Sequence, residues 1–262
     1  MTQSSPVVNS GAALVLDVDG TLLDTVYLHV IAWWESFLAA GYEVSCLDIH
    51  RAIGRGSEDL VQTLVGRDEE RVVQGHDERW PPLRQRCLAF HDVAALIRAC
   101  AGRGMSVVYC TSGSAQDTED FRRKIGCDDV VAAVVSSSDV DRSKPAPDIV
   151  RAALDAVGVS PQRAVMVGDT VFDVRAARAA GVACIGLRTG GISERELRES
   201  GAVAVYGNPS ELEQELGRLP AWPPSRPLSR PTWRQRFCIA SRQTARAIAT
   251  RASRWGSASS ST

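Results

Sequence analysis

The chain has 262 residues, 44% of them hydrophobic, which suffices for a real core in one large domain or two small ones. Its net charge of -1 conceals two unlike parts: beyond Glu215 there is no acidic residue but nine arginines, Arg218 to Arg254, leaving 21 of the 30 basic residues to face all 31 acidic ones. Residues 1–10 carry no basic residue and no long apolar run, and the seven cysteines (Cys46, Cys87, Cys100, Cys110, Cys127, Cys184 and Cys238) form no C-x-x-C pair; no signal peptide, membrane span or disulfide framework is expected, and reduced thiols in a cytoplasmic protein are.

After a ragged leader, Ala12–Leu16 reads as a buried strand that runs into Asp17-Val18-Asp19-Gly20-Thr21. Asp24 and Thr25 are candidate caps for a helix carrying Val30, Ile31, Trp33, Trp34, Phe37 and Leu38, closed by Gly41. Ile53-Gly54-Arg55-Gly56-Ser57 is a glycine-marked loop with Ser57 as the N-cap of a helix through Leu60 and Leu64. Arg67–Phe90 has helical periodicity that the pair Pro81-Pro82 is expected to interrupt. Residues 24–90 thus read as an all-α insertion.

The pattern then alternates. Helices are expected from Asp92, from Ser114 to Ile125, from Asp148 to about Val157, over Val171–Ala180, from the capping box Ser193-Glu194-Arg195-Glu196, and from Ser210 to about Leu219. Strands are expected over Met105–Cys110, Val130–Val135, Arg163–Val167, Val182–Leu187 and Val203–Tyr206. Continuous apolar strands alternating with helices predict an α/β fold, a doubly wound, Rossmann-like parallel sheet built from residues 11–23 and 91–219. From Pro220 the composition turns to Pro, Arg and Ser, and residues 220–262 read as a solvated basic extension, or in part as an Arg-studded, weakly amphipathic helix from Trp233 to Trp255 able to touch an anionic surface. Nothing in this tail specifies nucleic acid or membrane as a partner, and the sequence sets no oligomeric state.

Chemistry-bearing residues follow the strands, at the sheet edge where such folds bind ligands. Asp17 and Asp19 are crowded acids that repel unless a cation lies between them or one stays protonated, so the pair serves as a magnesium site or a general acid. Thr111-Ser112-Gly113 offers a hydroxyl and free amides at a helix start, suited to phosphate. Lys144, one of only two lysines, stands on the Pro-rich loop Lys144-Pro145-Ala146-Pro147 as a point charge for a phosphoryl group. Gly168-Asp169-Thr170-Val171-Phe172-Asp173 puts one acid at a strand end and another a helical turn on, where a hard cation fits.

Taken in order, Asp-x-Asp-Gly-Thr, a Thr after a strand, Lys-Pro, and Gly-Asp-x-x-x-Asp resemble the four motifs of the haloacid dehalogenase superfamily of phosphotransferases across roughly residues 12–219. The helical insertion resembles the α-helical cap of its phosphoglycolate phosphatase and β-phosphoglucomutase branch, which would make residues 24–90 a cap. The resemblance implies Asp17 as nucleophile forming an aspartyl-phosphate and Asp19 as acid–base. It implies Mg2+ held by Asp17, the Asp19 backbone carbonyl and Asp169, with Asp173 in support by ligation or through Lys144. Phosphoryl oxygens would be held beside Gly20 by Thr111, Ser112, Gly113 and Lys144. An aspartate at position 19 favours phosphate-ester hydrolysis or phosphomutase chemistry over carbon–halogen or carbon–phosphorus cleavage. The implied partner is a small phosphorylated metabolite. A protein that only senses such a ligand, or works through its tail, is the reading of another class. Asp24, His29 and the Gly54-Arg55-Gly56 loop are expected to face the site, with Arg55 placed for a substrate carboxylate or second phosphate. The four histidines have no metal-ligand spacing and read mainly as surface or cap residues. One departure stands out: the Pro-Gly-Val usual after the cap is replaced by Phe90-His91-Asp92-Val93.

Overall fold

The computed structural model describes residues 11–113 and 115–216. The leader at 1–10, the cap expected at Ser114, the end of the last helix near Leu219 and the basic tail with its candidate helix lie outside the described residues. Six strands, β1 (Ala13–Leu16), β2 (Ser106–Cys110), β3 (Val131–Val135), β4 (Ala164–Gly168), β5 (Ala183–Leu187) and β6 (Ala204–Tyr206), form one sheet in the order β3-β2-β1-β4-β5-β6. Every pairing is parallel, and Leu16 lies opposite both Tyr109 and Val167. The order reverses between β1 and β4, so a crevice opens at the carboxyl ends of these two strands. Asp17 and Asp169 each follow one of them.

Successive strand residues point to opposite faces, which makes two cores. Leu14, Leu16, Val107 and Val165 pack with Leu96 and Ile97 of α5 (Val93–Gly102) and Leu212 of α10 (Pro209–Leu216) on one face. Ala13, Val15, Val108 and Met166 pack with Ile149 and Val150 of α7 (Asp148–Val157) and Val174 and Ala177 of α8 (Val171–Ala179) on the other. The remaining core helices are α6 (Ala115–Ile125) and α9 (Glu194–Ser200), the latter started by the expected Ser193 capping box.

Between β1 and α5 run four helices: α1 (Val26–Ala39), α2 (Cys46–Ala52), α3 (Ser57–Val65) and α4 (Glu70–Arg84). They have a core of their own, in which Val30, Trp33 and Phe37 meet Ile49, Leu60, Val61 and Val72. No strand occurs in this stretch beyond isolated bridges.

Several local expectations are corrected. Pro81 and Pro82 do not interrupt α4 but lie inside it. Its face of Val72, His76 and Trp80, spaced four apart, is buried along α1, and that packing outweighs a helix-breaking cost of roughly 3 kcal/mol. Gly56, not Ser57, is the N-cap of α3, and Thr25 stands at the N-cap of α1 as expected but its side chain makes no capping hydrogen bond. Asp92 stands before α5 at φ 61° with no capping hydrogen bond, and its carboxylate meets His91 instead. Asn208 rather than Ser210 caps α10, through the Glu211 amide at 2.9 Å. Helix α2 was not expected; Ser45 caps it, accepting from the Asp48 amide. The six described cysteines are unpaired, and among the described residues no helix is long and apolar enough to cross a membrane.

Candidate active site

Strand β1 ends in a buried carboxylate because its apolar residues carry the chain through the middle of the sheet and the Asp17 amide still bonds to Val167 O at 3.0 Å. Lys144 is 1% exposed, and its Nζ makes ion pairs with Asp17 Oδ1 and, at 2.8 Å, Asp173 Oδ1. Such a cation belongs in the interior only because carboxylates face it there. Thr21 Oγ1 lies 3.0 Å from Asp17 Oδ2 and 2.8 Å from Asp169 Oδ1, tying the ends of β1 and β4 together. The other oxygen of Asp173 closes the capping box of α8, accepting from Thr170 Oγ1 at 2.6 Å and Thr170 N at 3.0 Å. Thr170, not Asp169, therefore caps that helix.

Asp169 Oδ2 is buried with no hydrogen-bond partner. Two glycines leave it room: a Cβ on Gly20 would come 2.3 Å from this oxygen, one on Gly190 1.8 Å, and Gly20 in addition has φ +76°. Carboxylate oxygens of Asp17, Asp169 and Asp173 lie within 4.8 Å of one another. Burial pushes the Asp17 carboxyl up to about 7, with Asp173 and Asp19 adding to the rise and Lys144 opposing it. Burial and the charges of Asp17 and Asp173 drive Asp169 well above the ordinary carboxylate range. The same acids hold Lys144 well above its usual value against its own desolvation. An orphaned oxygen in a glycine-shaped cradle among crowded hard oxygen donors fits a small divalent cation, Mg2+ in kind.

Asp19 is treated differently. Its Oδ1 accepts from Thr25 Oγ1 at 2.9 Å and lies 3.4 Å from His29 Nε2; its Oδ2 accepts from Thr111 Oγ1 at 3.3 Å. Burial works against its charge, but the His29 and Thr25 contacts outweigh this and keep its carboxyl low. Its side chain lies outside the acid triad. Thr111 is buried and also accepts the Gly113 amide at 2.9 Å, which shapes the turn of Thr111, Ser112 and Gly113.

A cavity of about 1000 Å³ opens on Asp17 and Asp19, with Ser112, Gly113, Arg55 and His76 on its wall. Arg55 is thus brought to the cavity, where its guanidinium lies 4.4 Å from the Phe172 ring centroid and its buried Nε has no partner. Asp24 is exposed, whereas His29 lines the cavity. Sequence reasoning missed Thr21, Thr25 and His76. Thr21 lies inside the Asp-x-Asp-Gly-Thr signature and was within reach of it; nothing local marked the other two.

A family model for haloacid dehalogenase-like hydrolases matches residues 12–181. The chain belongs to the haloacid dehalogenase-like hydrolase family. Among relatives of this family, the phosphoglycolate phosphatase of Rhodospirillum rubrum is 34% identical over 221 residues, 78% of this chain and 90% of that protein. A hydrolase from Pseudomonas syringae has a similar structure, with a TM-score of 0.74 at 27% identity, covering 79% of this chain and 98% of that one. CbbY from Rhodobacter sphaeroides, in complex with phosphate, gives a TM-score of 0.63 at 25% identity over 77% and 96%. The chain is accordingly an enzyme, a phosphatase-type member of the haloacid dehalogenase-like hydrolases, with the parallel α/β fold of that family.

Proposed function

We propose that the protein is a Mg2+-dependent phosphoric monoester hydrolase acting on a small phosphorylated metabolite through an aspartyl-phosphate at Asp17. The observation that carries this reading is the buried set of Lys144, Asp17, Asp169 and Asp173, in which Asp169 Oδ2 is left without a partner. Asp17 attacks phosphorus while the ester P–O bond breaks, and the departing oxygen takes its proton from Asp19. Water then attacks the phosphoryl group and gives a proton back to Asp19, releasing inorganic phosphate and restoring Asp17. Nucleophile and phosphoryl group are both negative, so positioning by cations carries most of the catalysis. Lys144 holds Asp17 in place and neutralises charge; Thr111 and the Ser112 amide receive phosphoryl oxygens, with Gly113 shaping the turn and Gly20 close by. Asp17, the Asp19 carbonyl and Asp169 would hold Mg2+, with Asp173 supporting the site through Lys144, and the bound ion would supply charge neutralisation at the phosphoryl group.

In this reading residues 11–23 and 91–219 are the catalytic core and residues 24–90 a cap that selects the substrate. The Rhodospirillum rubrum relative makes phosphoglycolate the first ester to try. Arg55 favours such a substrate, since a guanidinium on the cavity wall, stacked on Phe172 with its Nε unpartnered, is a receptor for its carboxylate. The unpaired thiols suit a reducing compartment, and we place the protein in the cytoplasm.

The test is phosphate release from phosphoglycolate, hexose phosphates and 4-nitrophenyl phosphate with Mg2+ or with excess chelator. Mg2+-dependent turnover that Asp17→Asn abolishes is expected, together with a raised KM for phosphoglycolate and little change in kcat in Arg55→Ala. Full activity of Asp17→Asn, or of the wild type in chelator, overturns the mechanism. Isomerisation of a hexose phosphate outrunning its hydrolysis replaces the phosphatase with a phosphomutase.

A further inference from the structure

His29 and His76 are far apart in sequence and belong to α1 and α4, yet they meet beside Asp19. Four rings stand nearly parallel there. Trp33 lies on His76 (centroids 4.0 Å, 17°), His76 beside His29 (5.4 Å, 13°), and His29 on Trp80 (3.6 Å, 19°). The polar edges of the imidazoles form a line: Asp19 Oδ1 to His29 Nε2 at 3.4 Å, His29 Nδ1 to His76 Nε2 at 3.1 Å, His76 Nδ1 to Asp77 Oδ1 at 3.3 Å. The outer indole is anchored as well, its Nε1 donating to Asp117 Oδ1 at 3.1 Å, and Arg84 pairs with Asp117 and, at 2.8 Å, with Asp120 of α6. Both nitrogens of both imidazoles thus have a neighbour, and both ring planes are clamped.

Packing alone does not account for this. Aliphatic side chains would fill the space between two indoles without burying ring nitrogens that need partners. His76 is 5% exposed, burial lowers its pKa while Asp77 opposes the drop, and what it offers His29 is a fixed ring nitrogen at 3.1 Å. Its Nε2 fixes the rotation of His29, and His29 meets Asp19 only at a long 3.4 Å, a contact that a freely turning ring would lose.

We infer that His76 is a positioning residue that acts through His29 to aim the Asp19 carboxyl at the leaving oxygen. The inference rests on the proposed role of Asp19 as acid–base. It has a signature that a packing role lacks. An alkoxide leaving group needs the proton from Asp19 far more than a nitrophenolate does, so loss of aim falls selectively on alkyl esters.

The test compares kcat for phosphoglycolate and hexose phosphates with kcat for 4-nitrophenyl phosphate in the full chain carrying His76→Phe, His76→Gln or His76→Asn. Phe keeps the stack and loses both nitrogens. Gln returns an amide, able to donate or to accept, near the place of Nε2, and Asn does not reach it. General acid–base catalysis is worth about 100- to 10,000-fold in all. His76→Phe is therefore expected to lose about 10- to 100-fold in kcat on alkyl esters, far less on the aryl ester, with KM little changed, and Gln to recover most of the loss. If the Phe variant does not fold, the Gln and Asn pair carries the same comparison. Equal losses on both ester classes, a change confined to KM, or Gln no better than Asn overturns the inference and leaves the phosphatase reading intact. An active Asp17→Asn, or a wild type inert on every ester, overturns both.

Discussion

Lys144→Met removes the cation that pairs with both Asp17 and Asp173. The side chain is 1% exposed, so its loss leaves buried carboxylates facing each other across an apolar thioether. Breaking a buried pair by removing one partner costs about 3–5 kcal/mol. For about 200 ordered residues each kcal/mol lowers Tm by roughly 2–4 °C, so a drop on the order of 10 °C is expected in chelator near pH 8. The cost should depend on pH, and its sign follows from the carboxyls. Asp17 sits at about 7 in the folded chain against 3.8 unfolded. Between those values the folded state keeps a proton that the unfolded state has lost, so stability falls as pH rises. Without Lys144 the Asp17 carboxyl rises further, the window extends upward, and the deficit relative to wild type grows as pH rises through about 7, so that it is larger at pH 8 than at pH 5. Lysine itself does not oppose this, because its raised folded pKa keeps its contribution present throughout that range. Urea melts followed by circular dichroism, at pH 5 and pH 8 with chelator, measure both. A deficit under about 1 kcal/mol at pH 8, or one equal at the two pH values, would refute the account of the buried charges.

Three further outcomes are expected. Asp169→Asn should melt above wild type in chelator at pH 8, because a crowded buried acid is gone, yet show no gain in Tm on adding Mg2+; isothermal titration with Mg2+ gives the second readout. Gly20→Ala should lose Mg2+ affinity and about 1–2 kcal/mol of stability, since its Cβ would meet Asp169 Oδ2 at 2.3 Å and its φ is +76°. Phe37→Ala empties the centre of the α1–α4 core, where the ring lies 6.2 Å from Trp33 and 6.5 Å from Tyr42; a loss of about 3–5 kcal/mol in denaturant melts is expected.

The sheet was legible because a parallel strand is buried on both faces and must read as an apolar run, as Val107–Cys110 and Val165–Val167 do. The acids were legible because they stand directly after such runs. Helix ends were less so. Thr25 takes the N-cap position, but its hydroxyl does not cap: it accepts from Gly20 N at 3.2 Å and donates to Asp19, partners that exist only once the turn has folded. Pro81-Pro82 looks like a break and is not one, because whether a helix survives two prolines depends on what its buried face meets. The pairing of His29 with His76 had no local signal at all, being set by the crossing of α1 and α4.

Two aspartates at spacing two, nearly equivalent as a pattern, become opposites through hydroxyls and rings that the pattern does not contain. Asp17 shares Thr21 with Asp169 and faces Asp173, so burial and like charges lift it towards neutrality and leave it needing cations. Asp19 instead lies beside His29 and accepts hydrogen bonds from Thr25 and Thr111, and the His29 and Thr25 contacts hold its carboxyl low against its burial. A carboxyl held low is a poor proton donor until something negative approaches. An incoming phosphoryl group is such a charge, and it raises the Asp19 pKa by the same like-charge repulsion that raises Asp17. In the proposed mechanism, then, the acid is armed by its substrate. The hydroxyls and the clamped imidazole then matter less for the resting charge of Asp19 than for where its proton points when the ester arrives.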